Sequence, residues 1–303
     1  MSKPKTYRDY DPRRIELAES ALLTIWGCLG DLHQHLVLVG GLVPKYLCGE
    51  VTGPTELPRP ATMDVDIGIA VSADEGHGGS LFRKLTEQGF KWSNDPDSNR
   101  FMKTINGIEV FIDFITEDPT RAEFGAIPFD LIHVSQLPGI NRALAIPRLV
   151  TVKGVDLDGI PRSHQIRVCN VGPFLVLKLR AFLNRRENKD AFDIYYMLRH
   201  FVDGTGNAIK GFAAEMDAGN SAFPDALMCL RTHYTTEDSP GAVATANFVE
   251  GQSMAGESEE TALRRLLVRQ EVVDGAALLL RALDNTEGRF QAGDSPRQVL
   301  SWE

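Results

Sequence analysis

The chain has 303 residues, of which 43% are hydrophobic and 24% charged, and it carries a formal net charge of −9. This composition is ordinary for a soluble globular protein, and the length allows two domains or one with a substantial extension. The net negative charge excludes a protein that coats nucleic acid nonspecifically, and no stretch reaches the roughly 20 apolar residues of a membrane helix.

In chain order, the N-terminal segment lacks the apolar core of a secretory signal, so a cytoplasmic protein with no membrane partner is expected. Cys28, Cys48, Cys169 and Cys229 show no CxxC spacing, so no zinc site or disulfide framework is legible, in keeping with a reducing compartment. Residues 12–30 predict a helix from the stripe Ile15, Leu17, Ala18, Ala21, Leu22, Ile25 and Trp26. A buried strand over 36–39 runs into Gly40-Gly41, and a short helix follows over 42–47 with Pro44 early in it. Residues 49–61 read as a loop, 63–70 as a strand, 75–79 as a glycine-rich turn and 80–88 as a helix. Strands over 101–105 and 109–115 are joined by Asn106-Gly107, a strong hairpin signal. These elements predict a small mixed sheet covered by helices. Further short strands and loops are expected over 128–170, and one helical segment over 173–201. A break is expected at 204–207, a polar linker at 250–257, and an amphipathic helix over 258–284.

Three features carry chemistry. The Gly40-Gly41 pair at a strand-to-helix turn lets backbone N–H groups approach phosphate oxygens, although glycine pairs also serve as plain turns. In Thr62-Met63-Asp64-Val65-Asp66-Ile67, strand alternation puts Asp64 and Asp66 on one face, with Val65 and Ile67 on the other. Asp113 lies inside the apolar strand Val110–Ile115, where an unpartnered carboxylate is costly. Metal ligation is the simplest way to satisfy it; a pair with an arginine or the capping of a loop are the alternatives. A basic stretch supplies the counter-charge. Between Arg142 and Lys189 there are ten Lys/Arg against three Asp/Glu. On one continuous helix Lys178, Arg185 and Lys189 would share a face, with Asp190 and Asp193 one turn apart beside them. A solvated amphipathic helix is the alternative reading of this block. The histidines show no ligand spacing and are assigned to packing or surface.

Taken together, the apolar–Gly–Gly turn, the Thr-x-Asp-Val-Asp step and the apolar–Asp–apolar strand resemble the DNA polymerase β-type nucleotidyltransferase superfamily. The segment Leu177–Ile194, with its Lys, Ala and Arg followed by a basic-Asp-x-x-Asp step, resembles the AbiEii-like branch of toxin–antitoxin and abortive-infection systems. The resemblance covers residues 35–200. It implies an α+β fold, a mixed sheet flanked by helices with a mainly helical C-terminal part. It also implies a core over 1–170 and a helical region over 171–303. By the same resemblance Asp64, Asp66 and Asp113 would bind two Mg²⁺ ions, with Mn²⁺ as a substitute. Gly40 and Gly41 would contact phosphates. Lys178, with Arg185 and Lys189, would hold the triphosphate, and Asp190 would orient basic neighbours or substrate. Many relatives have Gly-Ser where this chain has Gly40-Gly41. The implied partners are a nucleoside triphosphate such as ATP, an RNA (a tRNA end) or protein hydroxyl as acceptor, and a cognate antitoxin. The competing expectations are a small-molecule (antibiotic) nucleotidyltransferase, marked by an acidic acceptor pocket, and a non-catalytic nucleotide- or partner-binding module.

Overall fold

Asp11 opens the first helix, α1 (Pro12–Cys28): its carboxylate accepts from the Arg13 backbone N–H at 3.0 Å, and Pro12 sits where a helix needs no donor. The stripe of Ala18, Ala21, Leu22, Ile25 and Trp26 is fully buried, and Trp26 Nε1–H donates to the Gln165 carbonyl at 3.0 Å. That bond ties the helix to the sheet it covers. A computed structural model describes residues 5–9, 11–49, 62, 64–70, 74–93, 100–120, 126–129 and 132–293. The loop expected over 49–61 lies outside the described residues except for Gly49.

The strands are β1 (Leu36–Val39), β2 (Asp64–Ile69), β3 (Lys91–Trp92), β4 (Arg100–Ile105), β5 (Ile108–Thr116), β6 (Ala126–Phe129), β7 (Ile132–Gln136), β8 (Arg148–Val155) and β9 (Pro161–Val168). They form one mixed sheet in the order β3-β4-β5-β2-β1-β9-β8, with β7 pairing β5 and β6. Three registers position the site. Val39 lies opposite Asp66 in the antiparallel β1–β2 pair, Asp66 opposite Asp113 in the parallel β2–β5 pair, and Arg100 opposite Asp113 in the β4–β5 hairpin. The hairpin turns on Asn106 and Gly107, both at positive φ (50° and 79°), as a two-residue type I′ loop demands.

Helices α2 (Val43–Leu47), α3 (Asp74–Glu87) and α4 (Ile140–Ala145) interrupt the strands. The helical part comprises α5 (Val171–Arg185), α6 (Asn188–His200), α7 (Thr205–Asp217), α8 (Phe223–His233), α9 (Pro240–Glu250) and α10 (Glu259–Gly293). Asn170 caps α5 by accepting from Val171 N–H at 2.8 Å. A Cβ on Gly172 would stand 2.4 Å from the Gly211 carbonyl oxygen, so α5 and α7 meet backbone to backbone. Arg142 on α4 donates to both carboxylate oxygens of buried Glu215 on α7, at 3.1 and 3.2 Å, fastening the sheet side to the helical side. One buried apolar cluster runs from Trp26 and Ile112 through to Phe182, Phe212 and Phe248.

The architecture is the expected α+β one, with four local differences, the first being helix α4 within the stretch 128–170 expected to hold strands and loops. The glycine-rich segment 75–79 is helical, forming the start of α3. The single helix expected over 173–201 is two helices, because Arg186 adopts a left-handed conformation (φ 54°) and ends α5. The break expected at 204–207 narrows to Gly204 (φ 88°), with α7 starting at Thr205. Among the described residues no helix is long and apolar enough to cross a membrane.

Candidate active site

β2 alternates Asp64 and Asp66 with fully buried Val65 and Ile67, so the two carboxylates emerge together on the open face of the sheet. The parallel register with β5 sets Asp113 beside them, and one oxygen from each of the three lies within 4.8 Å of the others. Hard oxygen donors at this spacing suit Mg²⁺ or Mn²⁺. Burial, then the charges of Asp64 and Asp113, push the Asp66 carboxyl up to about 8, with Lys178 and Arg185 opposing only in part. Such repulsion is what a bound cation relieves.

Two neighbours brace these acids. The Thr62 hydroxyl donates to Asp64 Oδ1 at 2.7 Å. Arg100 donates through Nε to Asp113 Oδ1 at 2.9 Å and through Nη2 to Oδ2. The arginine partner and a metal role for Asp113 are compatible, since a carboxylate has about four lone-pair sites and Arg100 uses two.

The glycine turn closes directly over the acids. Gly40 has φ 72°, and a Cβ there would stand 1.8 Å from Asp66 Oδ2, so both backbone and packing require glycine. A Cβ on Gly41 would stand 2.6 Å from Thr62 Oγ1 and 3.0 Å from Lys189 Nζ. Any side chain at 41, serine included, displaces one of these groups.

The cations come from α5 and α6, not from one helix face as the continuous-helix reading expected. The left-handed turn at Arg186 folds α6 back so that Lys178, Arg185 and Lys189 converge on Asp190 and Asp193. Lys178 Nζ stands 3.0 Å from Asp190 Oδ1 and 2.6 Å from Asp193 Oδ2. Arg185 forks onto Asp190 at 2.6 and 2.8 Å, and Lys189 Nζ donates to both oxygens of Asp193 at 3.0 and 2.8 Å. Burial disfavours the Lys178 ammonium, but Asp193 and Asp190 outweigh it and raise its pKa. Burial likewise opposes the Asp190 carboxylate, yet Lys178 and Arg185 hold it well below the usual range. For Lys189 burial wins over Asp193 and the pKa falls. Arg185 keeps about half of its side chain exposed towards solvent.

All the residues singled out from sequence, Gly40, Gly41, Asp64, Asp66, Asp113, Lys178, Arg185, Lys189 and Asp190, line one cavity of about 480 Å³. That lies within the usual range for a small-molecule site. Apolar residues, among them Ile140, Phe174 and Leu177, complete its wall. The sequence reading missed Arg100, Thr62 and the double pairing of Asp193. The hairpin gave a signal for the first: counting outward from Asn106-Gly107 places Arg100 across from Asp113. A second cavity of about 230 Å³, lined mainly by residues of α6, α8 and α10 with Thr205 of α7, contains none of these groups.

The family model described as "Nucleotidyl transferase AbiEii toxin, Type IV TA system" matches residues 29–255, which span β1 to α9 and so the whole cavity wall. No curated protein matches the chain. With three quarters of its length accounted for, the chain belongs to the AbiEii family of nucleotidyl transferase toxins of type IV toxin–antitoxin systems.

Proposed function

We propose that this protein transfers a nucleotide from a nucleoside triphosphate to a hydroxyl of an RNA, such as a tRNA end, or of a protein, in a reaction of the EC 2.7.7 type. The observation that carries this reading is the pairing of two opposite ends in one cavity: three clustered carboxylates, and a cationic group of Lys178, Arg185 and Lys189 beside the Gly40 turn. With Asp193 counted, six carboxylates there face five cations, so the site by itself has no surplus positive charge for a triphosphate. Asp64, Asp66 and Asp113 would hold two Mg²⁺ ions, which would supply that charge and Lewis acidity.

The chain's own groups do the rest. Gly40 and Gly41 contact phosphates through the backbone N–H groups of their turn. Arg185 and Lys189 bind the triphosphate, and Lys178 stabilises charge growing on the departing pyrophosphate. Asp190 holds Lys178 and Arg185 in place. Asp113 helps to activate the attacking hydroxyl. The apolar wall formed by Ile140, Phe174 and Leu177 keeps water from competing with the acceptor. We assign the carboxylates and glycine turn to a core over 1–170 and the cationic helices to a region over 171–303, and we place the reaction in the cytoplasm.

One feature weighs against an aminoglycoside-type acceptor. The lining contributed by the helical part bears Lys178, Arg180, Arg185 and Lys189 against Glu187 and Asp190, so it is not an acidic pocket. The test is to incubate the purified protein with Mg²⁺, each α-labelled triphosphate, and total RNA or total protein in separate reactions. Label in the RNA or protein fraction is expected. Label that appears only on added aminoglycosides would favour the small-molecule reading. No label anywhere, with triphosphate bound, would favour a binding module.

A further inference from the structure

Thr62 stands two residues before the first carboxylate, buried, on the wall of the cavity. Its hydroxyl donates to Asp64 Oδ1 at 2.7 Å and lies 3.4 Å from the Asp64 carbonyl oxygen. A β-branched side chain is stiff at χ1, so this hydroxyl is held in place rather than free to rotate away. With Oδ1 engaged, the Asp64 carboxylate cannot swing, and its Oδ2 remains for a cation. Gly41 makes the arrangement sterically feasible. A Cβ on residue 41 would come within 2.6 Å of Thr62 Oγ1, 2.8 Å of Thr62 Cβ and 3.0 Å of Lys189 Nζ. The hydroxyl of the metal end and the ammonium of the phosphate end thus meet over a bare Cα.

We propose that Thr62 is a positioning residue that orients Asp64 for metal binding, and that Gly41 lacks a side chain because the Thr62 hydroxyl occupies the space. This rests on the reading that Asp64, Asp66 and Asp113 hold divalent metal. Hydrogen-bond partners behind metal ligands commonly set affinity by 10–100-fold.

The test is Mn²⁺ binding to the nucleotide-free, full-length protein, followed by calorimetry and by the electron paramagnetic resonance signal of free Mn²⁺. The variants are Thr62→Ser, Thr62→Val and Asp64→Asn. Thr62→Val, which keeps the shape and loses the donor, should weaken binding about 10–100-fold. Thr62→Ser should stay near wild type. Wild-type affinity in Thr62→Val overturns the proposal, as does an equal loss in Thr62→Ser. If Thr62→Val does not fold by circular dichroism, Gly41→Ala decides: it pushes the hydroxyl off Asp64 and should weaken Mn²⁺ binding, and unchanged affinity overturns the proposal. Asp64→Asn separates the two levels. Full affinity in that variant, or no Mn²⁺ binding by wild type, removes the metal reading itself and Thr62's role with it.

Discussion

Adding one methyl group at residue 40 should damage this protein more than its size suggests. Gly40 sits at φ 72°, and in that left-handed region an L-residue costs about 1–2 kcal/mol in backbone strain. Space is the larger problem. The new Cβ would stand 1.8 Å from Asp66 Oδ2, 2.6 Å from its Cγ and 2.7 Å from its Cβ. Relief to ordinary contact requires the Asp66 carboxyl to move by more than 1 Å. Displacement of a reacting group on that scale is worth on the order of 100-fold in rate. Gly40→Ala should therefore lower the melting temperature by a few degrees and cut the nucleotide-transfer rate by about two orders of magnitude, with triphosphate binding less affected. Calorimetric melting and single-turnover label transfer measure the two effects. A Gly40→Ala variant with wild-type transfer and an unchanged melting temperature would refute both the turn geometry and the placement of Asp66 at the reacting centre.

Asp190→Asn removes the shared partner of Lys178 and Arg185 and should cost about 3–5 kcal/mol in chemical denaturation, as for other broken buried pairs. Asp190 also sets an acid limb. Its folded-state pKa is depressed below the ordinary 3.8, so its stabilisation is present above that value and is lost as pH falls through the folded pKa. The wild-type stability curve should steepen below about pH 4, and Asp190→Asn should flatten it. Asp66 has the opposite sign. Its carboxyl is pushed up to about 8, so the metal-free folded state binds a proton that the unfolded state releases, and metal-free stability should decline between about pH 4 and 8. Metal binding at pH 7 should release that proton, seen as a dependence of calorimetric heat on buffer ionisation enthalpy. The release should vanish above about pH 9, and a pH-independent heat would contradict it. Arg100→Met removes the guanidinium beside Asp113 and leaves the three carboxylates less compensated, so metal-free stability should fall by on the order of 1–2 kcal/mol. The stabilisation gained on adding Mn²⁺ should then exceed that of wild type in a thermal melt.

The carboxylate end was legible in the sequence because strand alternation has a fixed period. Once Asp64 and Asp66 lie in a strand, their common face follows, and the Asn106-Gly107 turn fixes the register of the strand that carries Asp113. The same turn placed Arg100 opposite Asp113, but a charged residue at a strand's start looks like surface until its cross-strand partner is counted. The cationic end was less legible. Nothing between Leu183 and Asn188 is a glycine or proline, so no local signal marks the end of α5, and Arg186 takes its left-handed conformation in a sequence of ordinary helix formers. The pairs that hold α6 against α5 are tertiary: Lys178 and Arg185 of α5 meet Asp190 of α6 across the turn, and Lys178 also meets Asp193. The glycines at the start of α3 misled in the other direction, since helix propensity is a weak preference that packing further along the helix overrides.

The central claim is that the carboxylate cluster and the cationic cluster act as one nucleotidyl-transfer site. Its most direct test is transfer of label from an α-labelled triphosphate to acceptor RNA or protein by wild type, Asp66→Asn and Lys178→Met, each with Mg²⁺ and with chelator. Label should appear with wild type and Mg²⁺ alone, and chelator or either substitution should abolish it while the folded state persists. Undiminished transfer by Asp66→Asn would contradict the account.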